Sequence, residues 1–138
     1  MKALCVRQPF AELIARGIKR LDIHSWDTSY RGPLAIVAPD SWHRYADEVM
    51  EEYGLVEADC PRSITVCIVE LHDTERRPQR ISRAAARRID EAACVNVAPG
   101  EFMFMMQGPR RVAPVKVRRL LRIYSIPDES IRVLPVRP

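Results

Sequence analysis

Between Val6 and Ala38 the chain reads VRQPFAELIARGIKRLDIHSWDTSYRGPLAIVA, a run that sets one short helix among three strands. Lys2, Leu4 and Val6 alternate with Ala3 and Cys5, which suits a short first strand. Pro9 fits the first position of a helix whose apolar stripe is Phe10, Leu13 and Ile14, and Gly17 is placed to end it in the left-handed conformation. Lys19 to His24 resumes a two-residue period. Leu21 and Ile23 face inward, and Arg20, Asp22 and His24 share the other face. Ser25 to Gly32 is a polar loop, and Pro33 to Ala38 is apolar on both faces, as in a central barrel strand. The polar or amphipathic residues Gln8, Lys19, Asp22, His24, Trp26, Tyr30 and Arg31 lie between these core-forming runs, which makes the stretch a candidate site as well as a scaffold.

The rest of the chain extends the same architecture. Asp40 and Ser41 are placed to cap a second helix running to Gly54, with Trp42, Tyr45, Ala46, Val49, Met50 and Tyr53 as its stripe. Ser63–Leu71 is the strongest strand pattern, Ser82 caps a helix over Arg83–Ala93, and Glu101–Gln107 and Val115–Tyr124 read as two further strands. Roughly six short strands, with helices inserted after the first and third, do not suit a parallel βαβ fold. The expected class is α+β and mostly β: a small, mainly antiparallel barrel with short helices on its rim. Residues 1–127 form one domain in this reading, and 128–138 form an extended C-terminal tail.

A chain of 138 residues carries one core, and no apolar run approaches the length of a membrane span. The N-terminus lacks a signal-peptide apolar region, so the expected compartment is the cytoplasm. Cys5, Cys60, Cys67 and Cys94 are scattered singly and read as buried thiols, while His24, His43 and His72 show no ligand spacing. Neither a metal nor a cofactor is expected. The formal net charge is +4, and the lysines are Lys2, Lys19 and Lys116, the other cations being arginine. Arginine's planar fork suits phosphate, so the charge makes nucleic acid a plausible partner.

Lys19, Asp22 and His24 are the first constellation with chemistry. A lysine near an acid in a cleft can bind phosphate, polarise a carbonyl, or act as a base once burial lowers its pKa. Residues three apart on a strand face opposite sides, so Lys19 and Asp22 share a cleft only if Lys19 lies on the turn after Gly17. Asp22 and His24 need no such allowance, since an Asp orients a neighbouring imidazole. The alternative is a solvated strand edge with a surface ion pair, worth at most about 1 kcal/mol. Trp26, Tyr30 and Arg31 could stack on unpaired bases, each stack worth roughly 1–3 kcal/mol. Alternatively, Trp26 closes the barrel end and Arg31 caps backbone carbonyls.

Two arginine-rich stretches follow. Arg76, Arg77, Arg80, Arg83, Arg87 and Arg88 span a connection and a helix, where Arg80, Arg83 and Arg87 form either a phosphate-contacting ridge or a solvated face. Lys116, Arg118, Arg122 and Tyr124, with Leu120 between them, share one face of the last expected strand. That face is either the floor of a nucleic-acid groove or a charged outer barrel surface with snorkelling side chains, and Arg110 and Arg111 would extend either version.

QPFAELIARGIKRLDIHSW followed by TSYRG resembles the N-terminal half of the ASCH (activating signal cointegrator homology) domain. Its hallmark runs Gln-Pro-aromatic-Ala, then Gly-x-Lys-x-x-acid-x-basic-Ser-Trp, then aromatic-Arg-Gly. The likeness covers the chain to Ala38 and continues more loosely to Pro127. Asp22 stands where Glu is usual, and His24 where Arg is usual. The resemblance implies a PUA-like β-barrel that binds nucleic acid, with the lysine and the acid of the motif lining its ligand cleft. One branch of ASCH-like proteins consists of small amidohydrolases acting on N4-acetylcytidine, with a lysine, a nucleophilic threonine and a glutamate, and other members are linked to RNA cleavage. Lys19 matches that lysine, but Asp22 holds the threonine's position, and Ser25, Thr28 and Ser125 replace it only if folding brings them near.

The expected function is therefore binding of RNA or single-stranded nucleic acid. The contacting residues are Gln8, Lys19, Asp22, His24, Tyr30 and Arg31, joined by Arg80, Arg83, Arg87, Lys116, Arg118 and Arg122. A small nucleoside amidohydrolase or ribonuclease using Lys19 and Asp22 is the alternative, and a modified nucleoside is a further candidate ligand.

Overall fold

The computed structural model of the chain describes residues 1–135. Its strands are β1 (Lys2–Cys5), β2 (Leu21–His24), β3 (Gly32–Ala38), β4 (Ile64–Arg76), β5 (Phe102–Arg111) and β6 (Ile123–Ser125). They form one sheet in the order β2-β5-β4-β3-β1-β6, in which β1 runs parallel to β3 and all other neighbours are antiparallel. The sheet curls into a half-barrel, with helices α1 (Phe10–Ala15), α2 (Ala46–Tyr53) and α3 (Arg83–Ala93) around it. This matches the small, mainly antiparallel sheet with short helices around it that the strand pattern leads one to expect.

The two-sided apolar character of Pro33–Ala38 has a direct cause. Leu34, Ile36 and Ala38 enter the main core with Leu4, Leu13, Ile14, Val69, Leu71 and Phe104. Ala35 and Val37 point the other way, into a second cluster with Ala3, Tyr124 and Ile126. Burying each large aliphatic side chain in such a core contributes roughly 1.5–3 kcal/mol. Gly17 follows α1 at φ +75°, as the sequence leads one to expect, and Gly54, at the expected end of the second helix, closes α2 in the left-handed conformation. Ser82 caps α3 by accepting the Ala85 N–H at 3.0 Å.

Three segments depart from expectation. Helix α2 starts at Ala46, because Asp40 is engaged elsewhere: its carbonyl accepts from Arg62 at 2.7 Å and its carboxylate from the Ser63 hydroxyl at 3.4 Å. β4 runs to Arg76 and β5 to Arg111, since their bulged pairing carries both strands beyond the apolar residues. The expected strand Val115–Tyr124 is largely absent, and only Ile123–Ser125 joins the sheet. Val115 commits both backbone polar groups to one residue near the start of β4, its N–H donating to Thr65 Oγ1 at 3.0 Å and its carbonyl accepting from Thr65 N–H at 3.0 Å, and no strand continues from it. The shared strand face proposed for Lys116, Arg118 and Arg122 therefore does not exist.

Beyond Pro127 the chain makes a short 3-10 turn, Asp128–Ser130, and Val133 bridges to Val112. Residues 136–138 of the expected tail lie outside the described residues. All four cysteines are free thiols, and burial pushes Cys60 up to about 11 and Cys67 up to about 12. No described helix is long and apolar enough to cross a membrane.

One polar feature lies within the core side of α1. Glu12 is 3% exposed, and its carboxylate accepts two hydrogen bonds from Arg111 at 2.9 and 2.5 Å and one from Arg16 Nε at 2.7 Å. This network pins α1 to the far end of β5.

Candidate functional site

The curled sheet leaves β2 and β6 as unpaired edges, and a cleft of about 520 Å³ lies between the β2 edge and the β1–β6 side. β1 and the residues after it supply Leu4, Val6, Arg7 and Phe10. Opposite them stand Asp22 and His24 of β2 and Trp26 just beyond, while His43, Arg44 and Tyr45 close one end. Arg119 to Arg122, on the approach to β6, form the outer lip.

Lys19, Asp22 and His24 lie together on one wall. The N–H groups of Ile18 and Lys19 both donate to the Leu13 carbonyl, at 3.0 and 3.1 Å, so Lys19 belongs to the turn and not to β2. That turn removes the strand-parity obstacle. Lys19 is 3% exposed. Its ammonium donates to the Ala93 carbonyl at 2.5 Å, stands 3.8 Å from Asp22 Oδ1, and lies 4.7 Å from the centre of the Phe10 ring. On the other side His24 Nε2 donates to Asp22 Oδ2 at 2.6 Å.

Burial pushes the Lys19 pKa down, and the neighbouring Asp22 carboxylate offsets only part of that effect. For Asp22, burial favours the neutral acid, but His24, then Lys19 and the Ile23 N–H, outweigh it and hold the carboxyl below its usual range. The site thus keeps a carboxylate and an ammonium side by side, both nearly buried, where an added phosphate or carbonyl would interact strongly with the cation.

The rim is cationic and aromatic. Arg44 lies over the Tyr45 ring at 4.8 Å, and Arg122 lies over the Trp26 ring at 5.3 Å. His43 packs edge-on against Phe10 at 4.7 Å between ring centres, and its Nδ1 accepts the Tyr45 N–H at 3.1 Å. Burial lowers the His43 pKa below 6.5, helped by Arg44, Arg7 and Lys19. Protonation would also destroy the Nδ1 acceptor. The unfolded chain therefore takes up this proton more readily than the folded one. Stability falls as pH drops below about 6.5, and Asp22, with its depressed pKa, removes more at still lower pH. The urea midpoint should be lower at pH 5 than at pH 7, and His43→Asn should flatten that difference; an unchanged slope would refute the assignment to His43.

The residues expected from sequence divide into several groups. Lys19, Asp22, His24 and Arg122 line the cleft, as does Trp26. Gln8 is fully buried, with its amide donating to the Pro61 carbonyl and accepting the Glu12 N–H, so it anchors the start of α1. Tyr30 donates to the Pro33 carbonyl at 2.5 Å. Arg31 donates to the Thr28 and Tyr30 carbonyls and to Thr74 Oγ1. Neither lines the cleft. Arg80, Arg83 and Arg87 are exposed on and before α3, and Lys116 and Arg118 are exposed on the irregular segment. None of these five lines the cleft either.

Sequence reasoning missed Arg7, Arg44, Tyr45 and Arg119. The run Trp42-His43-Arg44-Tyr45 offered a signal, two aromatics flanking a basic pair, but its spacing also fits a helical stripe. Tyr45 is 49% exposed and lies outside α2. Among the described residues no group of three or more His, Cys, Asp or Glu side chains is placed to hold a metal ion.

The ASCH domain family profile matches residues 4–102. No curated protein matches the chain significantly. The crystal structure of ASCH from Zymomonas mobilis is similar in fold, with a TM-score of 0.64 at 9% identity, over 94% of this chain and 89% of that one. Crystal structures of two variants of that Zymomonas mobilis protein, one with tyrosine changed to phenylalanine and one with serine changed to alanine, give TM-scores of 0.56 and 0.57. Both are 10% identical and cover 94% of this chain, and 91% and 89% of their own. At such identities the likeness shows the fold alone.

Proposed function

The chain belongs to the ASCH domain family, and from that premise we propose that it binds RNA or another single-stranded nucleic acid in the cleft at the open side of its half-barrel. The observation that carries this reading is the set of guanidinium groups around that cleft. Arg7, Arg44, Arg119 and Arg122 all line it, and none makes a salt bridge among the described residues. Unpaired arginines collected from three separate loops favour an anionic ligand, and the Tyr45 and Trp26 rings beside them offer stacking surfaces for bases. Lys19 and Asp22 then hydrogen-bond the part of the ligand that reaches the cleft wall.

Binding to an RNA decamer should weaken with salt. The slope of log K against log salt should be roughly −3 if each of the four arginines meets one phosphate of a single strand. Arg44→Gln and Arg119→Gln should each make that slope shallower by about 0.7. Undetectable affinity for RNA and DNA oligomers at low salt would sink the proposal. A free modified nucleoside is a narrower ligand for the same cleft, and competition between nucleoside and oligomer separates the two.

Cleavage of the bound RNA is a second reading, favoured by the 2.6 Å hydrogen bond that joins His24 to Asp22 beside Lys19. A carboxylate-oriented imidazole can take the proton of a 2′-hydroxyl while the ammonium meets the phosphate. Acyl transfer has less support, because among the described residues no serine or threonine lines the cleft and the Cys5 thiol there is engaged with the Tyr124 hydroxyl at 3.3 Å. RNA that is cut by wild type, but not by His24→Asn or when 2′-O-methylated, would favour cleavage; RNA left intact by wild type would exclude it.

A further inference from the structure

The lip of the cleft carries a feature that ligand charge does not explain. Leu121 is 85% exposed and Leu120 is 45% exposed, and both line the cleft mouth between Arg119 and Arg122. From Lys116 to Arg122 the backbone makes no hydrogen bond to other backbone among the described residues. The segment is held by Val115 on Thr65, by Val117 packed against the second apolar cluster, and by Ile123 in β6. At the β6 end Arg122 adopts φ +57°, a left-handed conformation that L-residues reach only at some cost, with its guanidinium over the Trp26 ring. A tight, strained turn thus displays an apolar side chain at the entrance of a cationic cleft.

We propose that Leu121 is a wedge that enters a base stack and separates the nucleotide bound in the cleft from its neighbour. The inference rests on the nucleic-acid reading above and specifies its substrate: a strand with one nucleotide turned out of a stack. The charges support this occupant over an apolar protein surface, since Lys116, Arg118, Arg119 and Arg122 lie within one or a few residues of the leucine pair. Nucleic acid offers phosphates and flat apolar base faces together, and inserted leucines are a known means of unstacking neighbouring bases. The cleft volume of about 520 Å³ lies in the range of small-ligand sites, which suits one extruded nucleotide better than a length of helix.

The test uses single-stranded RNA decamers with a central 2-aminopurine, whose fluorescence rises when it leaves a stack. In one decamer adenines flank the probe and stack on it strongly; in the other uridines flank it and stack weakly. Wild type should bind both and raise the fluorescence of the adenine-flanked probe. Leu121→Ala should weaken binding of the adenine-flanked strand by about tenfold and of the uridine-flanked strand by less than about twofold. Because Leu121 is solvent-exposed, its truncation leaves the core intact. Equal losses on both strands, no loss on either, or no fluorescence rise with wild type would overturn the wedge while leaving binding itself in place. Failure of wild type to bind either strand at low salt would overturn the nucleic-acid reading and the wedge together.

Discussion

Asp22→Ala should lower the unfolding free energy by about 3–5 kcal/mol, because it strands a buried ammonium. In the native chain Lys19 is 3% exposed and has two polar neighbours, the Ala93 carbonyl at 2.5 Å and Asp22 at 3.8 Å. Removing the carboxylate leaves one carbonyl to compensate a charge that burial already disfavours. Asp22→Asn keeps an acceptor for His24 and should cost less. The informative comparison is Lys19→Met combined with Asp22→Leu, which replaces both charged groups by apolar side chains of similar branching. Apolar replacement of a buried pair is often neutral or stabilising by 1–4 kcal/mol, so the double variant should be about as stable as wild type. It should also lose binding of the RNA decamer. Urea denaturation of the three proteins measures the stability terms. An Asp22→Ala cost below about 1 kcal/mol would mean that the pair behaves as a solvated surface bridge.

If the double variant is stable but does not bind, the pair is retained for its place in the cleft. That distinction was not available from the sequence. Two-residue periodicity correctly put Asp22 and His24 on one face, since β2 is a regular strand with both side chains toward the cleft. Lys19 was legible only conditionally, because its position depends on a turn whose hydrogen bonds to Leu13 no pattern reveals. The unbroken apolar run Leu34–Ala38 was equally readable, since the strand is covered on both faces.

The rim was not legible, for a physical reason. Arg7, Arg44 and Arg119 come from loops far apart in sequence, and only the curvature of the sheet brings them around one opening. Local spacing cannot carry that information. Val115–Tyr124 misled in the opposite way. Its alternation of Val115, Val117, Leu121 and Ile123 with charged residues imitates a strand, yet Thr65 of β4 takes up both backbone polar groups of Val115, and Lys116 to Arg122 find no strand partner among the described residues. Tertiary hydrogen bonding overrode the local pattern there, and that override leaves Leu121 free at the lip.

Arg111→Ala should cost about 2–4 kcal/mol of stability, more than Glu12→Ala, and neither should change the affinity for RNA. The asymmetry follows from where each charge sits. The Glu12 side chain is 4% exposed, whereas that of Arg111 is 45% exposed. Without Glu12, the guanidinium of Arg111 can turn into water and recover much of its solvation, as surface ion pairs do. Without Arg111, the Glu12 carboxylate stays in the interior and loses two of its three side-chain hydrogen bonds, keeping only Arg16 Nε at 2.7 Å. The single-variant costs, measured by urea denaturation, should therefore rank Arg111→Ala above Glu12→Ala. Arg111→Lys should fall between Arg111→Ala and wild type, because one ammonium cannot reproduce the two-pronged contact. The opposite ranking would show that Glu12 reaches solvent once released. A fall in RNA affinity for Arg111→Ala would place this end of β5 in the interface, although its guanidinium does not line the cleft.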